Sequence, residues 1–84
     1  MTKVIFDKNC LYWDDDTRYR NVFIKAIKQK VKDTIEWRGF ATLLDVADLI
    51  GKMYSYDLAM KYFGVVFDDP KTVDEEIDKY LVVS

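Results

Sequence analysis

The side chains best equipped for chemistry in this sequence are its carboxylates and cations, and they fall in blocks. Asp14-Asp15-Asp16 form one acidic run; Asp68, Asp69, Asp74, Glu75, Glu76 and Asp78 form a second, relieved only by Lys71. Between them, residues 17–32 carry Arg18, Arg20, Lys25, Lys28, Lys30 and Lys32 and no acid. Grouped carboxylates can hold a hard cation or act as a general acid and base. The cation reading fails at the first run, because an EF-hand loop needs D-x-[DN]-x-[DN]-G and no glycine follows. The catalytic reading lacks partners. The chain has no histidine and one cysteine, Cys10, so Ser-His-Asp and Cys-His sites and the common histidine-containing zinc sites are excluded. With three glycines, it also has no Gly-rich phosphate loop and no nucleophile elbow. The expectation is a protein that is not an enzyme and uses neither metal nor cofactor. Recognition is what remains for the charges, since separated basic and acidic poles steer partners.

The element that presents the basic block is a long helix over residues 16–39. With Tyr19 at 0° and about 100° per residue, Val22, Phe23, Ala26, Ile27, Val31 and Ile35 spread over more than half of its circumference. That width predicts the central beam of a small core. Asp15 or Asp16 supplies the N-cap, Trp13 packs back on the first turn, and Gly39 takes the left-handed conformation that stops the helix. Lys25, Lys28 and Lys32 form an outward ridge.

Around this helix the other elements are short. Residues 3–6 read as an edge strand, with a turn at 7–9. Thr42 caps a second helix over 43–50, closed by Gly51. Ser55 caps a last helical turn over 56–61, and 62–67 read as a strand or hairpin arm with a bulge at Gly64. Asp68-Asp69-Pro70 is a turn, residues 74–78 can form a short helix, and 80–83 read as a terminal strand. The expected fold is α+β. One long N-terminal helix and a shorter second helix pack on a small antiparallel sheet of about three strands, all within a single domain over 1–84.

Half of the 84 residues are hydrophobic and 15% are aromatic, which suits a folded monomer or a homodimer. The opening MTKVIFDKN is too short in apolar residues for a signal peptide, and no segment approaches the roughly 20 apolar residues of a membrane span. With Cys10 unpaired, these features give the expectation of a cytoplasmic protein with no membrane partner.

Two stretches resemble known proteins. Thr42-Leu43-Leu44-Asp45-Val46-Ala47-Asp48-Leu49-Ile50-Gly51 resembles the first helix and turn of the helix-turn-helix in lactose-repressor-type regulators, T-L-x-D-V-A-x-x-x-G. Ala47 would let two helices approach, and Gly51 would permit the turn. The resemblance departs at the next helix, where residues 56–62 offer one lysine, one aspartate and no Arg, Asn or Gln for base edges and phosphates. The second resemblance covers most of the chain. Residues 7–21, with Trp13-Asp14-Asp15 and then Tyr19-Arg20-Asn21, are similar to the opening of small uncharacterised phage and prophage proteins of Gram-positive bacteria. Arg38-Gly39, the helix over 43–51 and the run from Gly64 to Asp68 continue that pattern. The usual Trp after the closing Gly is Val65 here, and residues 54–63 depart from it. The resemblance implies a mobile-element origin and no particular mechanism.

These readings lead to a non-enzymatic phage- or prophage-type accessory protein that binds a host or phage protein, as a counter-defence or regulatory inhibitor. Nucleic acid is the disfavoured partner, through a small helix-turn-helix transcriptional regulator over residues 43–62. Three surfaces are candidates: the acidic set Asp68, Asp69, Asp74, Glu75, Glu76 and Asp78; the aromatic set Tyr54, Tyr56, Tyr62 and Phe63; and the basic ridge Lys25, Lys28 and Lys32.

Overall fold

The computed structural model describes residues 2–84, so Met1, the first residue of the opening read above for a leader, lies outside the described residues. The N-cap of the long helix is Asp16, whose carboxylate accepts from the Arg18 backbone N–H at 2.9 Å. Helix α1 then runs over Thr17–Arg38 and stops at Gly39, which is left-handed at φ 91°. Strand β1 (Val4–Phe6) precedes it. After it come β2 (Ala41–Thr42), α2 (Leu43–Leu49), α3 (Tyr56–Phe63), β3 (Val66–Phe67), α4 (Val73–Tyr80) and β4 (Leu81–Val83). The architecture is α+β, with four helices and two sheets of two strands each.

The strands do not assemble into one antiparallel sheet. β2 pairs antiparallel with β3, but β1 pairs parallel with β4, Val4 opposite Leu81 and Phe6 opposite Val83. The reason lies in the connections. A parallel pair needs a long crossover, which the elements between β1 and β4 supply, and β4 leaves directly from α4, so the seat of that helix sets its direction. Leu81 is at once the C-cap of α4 and the first residue of β4, and its N–H donates to the Ile77 carbonyl.

Helix α1 lies over the core without being enclosed by it. Ile27, Val31 and Ile35, four residues apart, are its buried stripe, with Phe23 and Ile24 partly covered. Val22 and Trp37 are exposed, Trp37 at 85%. The width of the apolar face over-predicted burial because the opposing elements are short and cover one stripe only. Val4, Phe6, Leu43, Val46, Ile50, Val73 and Ile77 face that stripe in the same core cluster.

Two polar clusters hold the ends of α1. Trp13 meets Phe6 edge-on at 5.2 Å, gives its indole N–H to Asp15 at 2.9 Å and lies under the Arg20 guanidinium. At the other end the Asp45 carboxylate accepts from Arg38 at 2.6 Å and from the Thr42 backbone N–H at 2.8 Å, which joins the exit of α1 to the start of α2.

Residues 54–63 depart furthest from the sequence expectation. Tyr62 and Phe63 belong to α3, not to a strand. Ser55 caps that helix as expected, its hydroxyl accepting from the Leu58 N–H at 3.3 Å. Gly64 ends it in an ordinary right-handed conformation, with no bulge. Tyr80 likewise closes α4 and does not open the last strand.

Candidate interaction surface

The charge poles read from the sequence meet each other in the fold. Helix α4 packs against α1 and lays its acids along the lysine ridge. Lys28 Nζ reaches Asp78 at 2.7 Å and Lys32 Nζ reaches Asp74 at 3.1 Å. Two of the six acids and two of the three lysines are therefore spent on each other. Glu76 also has a cation, Lys79, at 3.4 Å. Asp69 closes its own turn, with Oδ1 accepting from the Lys71 N–H at 2.9 Å. Asp68 and Glu75 are exposed, as is Lys25 on the basic side, and none of the three has an ion-pair partner among the described residues. The acidic and basic sets thus meet at one seam of two ion pairs, and Asp68, Asp69, Glu75 and Lys25 are outside any ion pair among the described residues.

That seam has a measurable strength. A double-mutant cycle of Lys28→Met and Asp78→Asn should give a coupling of about 0.5–1 kcal/mol, falling as salt is added, because the lysine is only partly exposed and the carboxylate is wet. A zero coupling in urea unfolding at low salt would remove the seam from the account of how α4 is seated.

The aromatic set divides. Tyr62 is 2% exposed and belongs to the core, so it is withdrawn from any binding surface. Burial pushes its phenol pKa up, with nearby Cys10 adding to the rise. Tyr54 meets Tyr62 edge-on at 6.2 Å and donates its hydroxyl proton to Asp48. The Asp48 carboxylate favours the protonated phenol, so the pKa of Tyr54 is raised, with desolvation adding to it. Tyr54 therefore fastens the segment after α2 to α2 itself. Tyr56 and Phe63 face outward, 79% and 54% exposed.

Helical geometry explains the division and finds what the sequence reading missed. In α3, Tyr62 points to the core with Ala59 beside it; Tyr56, Met60 and Phe63, at i, i+4 and i+7, form an exposed stripe that adjoins them around the helix. Met60 is 54% exposed, and Met53, just before the helix, is exposed as well. Asp57 and Lys61, four residues apart, are the polar face of this helix, with Lys61 toward Leu58. The i, i+4, i+7 spacing was present in the sequence, but it shows only once Tyr62 and Phe63 are assigned to the helix. Before α3, Leu11, Met53 and Tyr54 line an open depression of about 560 Å³ together with Asn9, Asp48 and Lys52.

The apolar residues of α3 cover more than half of its circumference, an arc of the width found on buried helices, and the part that holds Tyr56, Met60 and Phe63 is uncovered. Among the described residues no group of three or more His, Cys, Asp or Glu side chains is placed to hold a metal ion, and no helix is long and apolar enough to cross a membrane. As a reader of DNA, α3 would present Tyr56, Asp57, Met60, Lys61 and Phe63, which offer a single cation for phosphates. The connection over residues 50–55 is also longer than the three- or four-residue turn of a helix-turn-helix. No family model matches the chain, and neither the curated proteins nor the solved structures contain a match.

Proposed function

We propose that this protein is a non-enzymatic accessory protein, of the phage or prophage type its sequence resembles, that acts by docking the outward face of α3 on another polypeptide. The observation that carries the reading is the stripe of Tyr56, Met60 and Phe63, which turns away from the core while Tyr62 on the same helix is buried. Aromatic and methionine side chains are enriched at interface cores, and a few of them supply most of the binding energy. The acidic set supports the reading less well, since Asp74 and Asp78 are already neutralised by lysines.

Phe63→Glu tests it. The side chain is half exposed, so the melting temperature should move by a few degrees at most, while affinity capture of a bound polypeptide should be lost. Capture unchanged by the substitution would refute the α3 surface. Duplex-DNA binding followed across a salt series addresses the regulator reading; a steep salt dependence would replace the present proposal with it.

A further inference from the structure

We propose that the open outer edge of β4, with the α1 ridge beside it, binds an acidic peptide in extended form, added to the sheet as a further strand. This surface is separate from the α3 face and does not depend on it. β4 pairs with β1 alone. The Ser84 N–H donates to the Phe6 carbonyl at 3.0 Å, so in the parallel register Val82 and Ser84 turn their backbone groups toward β1. Val83, between them, turns its N–H and carbonyl the other way, as Leu81 does its carbonyl, toward a side with no strand. The outer edge of β1 differs, because there the Ile5 carbonyl accepts from the Cys10 thiol at 3.5 Å. Leu81-Val82-Val83 also carries no lysine, proline or bulge of the kind that blunts an edge.

Beside this edge lies a groove of about 380 Å³, where Ile24 and Lys25 of α1 meet Leu81 and Val83 of β4. An added strand takes affinity from main-chain hydrogen bonds and specificity from alternate side chains, which here face α1. One such side chain meets the apolar pair Ile24 and Val83; the next on that face meets Lys25. Lys25 is exposed and outside any ion pair among the described residues. Lys28 and Asp78 also line the groove and neutralise each other at 2.7 Å. The groove therefore keeps an uncompensated cation at Lys25, which an acidic side chain complements. The same charge argues against a second copy of the chain. Two β4 edges joined about a twofold axis put both α1 helices on one face of the shared sheet, with the two Lys25 side chains turned toward each other.

Two end-blocked peptides, Glu-Thr-Val-Thr-Glu and Lys-Thr-Val-Thr-Lys, test this on the full chain by amide chemical shifts and hydrogen exchange. The acidic peptide should shift the amides of Lys25, Leu81 and Val83 and slow exchange of the Val83 N–H. It should bind more tightly than the basic peptide by on the order of tenfold, and Lys25→Glu should invert that preference. Lys25 is exposed, so circular dichroism melts should show the fold retained in the variant. Phe63→Glu should leave peptide binding unchanged, which separates failure here from failure of the α3 reading. The absence of any shift at β4 with millimolar peptide overturns the proposal. So does equal binding by a fully N-methylated acidic peptide, which cannot donate to the ladder, or a preference unmoved by Lys25→Glu. Protection of the Val83 N–H without peptide, together with a two-chain mass in sedimentation, overturns it in favour of a second copy.

Discussion

Gly51→Ala is expected to cost about 3 kcal/mol and to lower the melting temperature by about 15 °C, more than the same change at Gly39 or Gly64. Gly51 sits at φ 73°, a left-handed conformation that L side chains rarely adopt. A Cβ there would lie 2.5 Å from the Leu11 Cβ and 2.9 Å from the Leu11 backbone nitrogen. These atoms are not the far end of a flexible side chain, so the turn over residues 10–13 must shift as a unit. The shift breaks the hydrogen bond from the Leu11 N–H to the Gly51 carbonyl, 3.0 Å long, which holds the segment before α1 against the end of α2. Gly39→Ala is the internal control. Gly39 is also left-handed, at φ 91°, but a Cβ there meets nothing within 4 Å, so its cost should be the conformational part alone, about 1 kcal/mol. Thermal unfolding of the two variants side by side checks the argument. Equal losses would show that the contact with Leu11 contributes nothing.

Tyr62→Ala should destabilise the protein by about 3–5 kcal/mol, whereas Tyr56→Ala on the same helix should change stability by less than about 0.5 kcal/mol. Tyr62 is among the largest fully buried side chains, so its truncation leaves a cavity beneath α3. Domains of this size have on the order of 4–13 kcal/mol in total, and the loss would consume a large part of it. Tyr56 projects into solvent from the first turn of α3, and alanine is a better helix former there. Urea unfolding with a shared m-value separates them, Tyr62→Ala losing much of its midpoint and Tyr56→Ala keeping it. If the two midpoints fall alike, the division of the tyrosines into core and surface is wrong, and with it the stripe on which the docking proposal stands.

What the sequence made legible was governed by local rules. The start of α1 at Asp16 and its stop at Gly39, the Thr42 entry to α2 and the Ser55 cap of α3 each follow from a few neighbouring residues, and each is where those residues place it. Pairing was not local. No nearby residue encodes that Val4–Phe6 should lie parallel to Leu81–Val83, because that depends on how α4 settles on α1. The charge blocks show the same limit. In the linear chain Lys28 and Asp78 are members of opposite poles; in the fold they are partners 2.7 Å apart. For the proposed surface, residue type alone points to Tyr56 and Phe63, and both are exposed. Tyr62 was misplaced and Met60 missed because both follow from helical phase, and residues 62–63 carry the aromatic character that suits a strand equally well.

The pairing of β1 with β4 also bears on how the chain reaches its structure. A strand near one end waits for a strand near the other, and closing a loop of that length costs on the order of 4 kcal/mol in chain entropy before any contact repays it. Folding should therefore pass through a rate-limiting closure late in the process, after local helices have formed. On the ribosome, Val4 and Phe6 emerge before Leu81–Val83, leaving an apolar strand edge open to whatever binds nascent chains until β4 follows. The same clasp ties β1 to α4 through β4, so releasing either strand should loosen the seat of α4 on α1 as well.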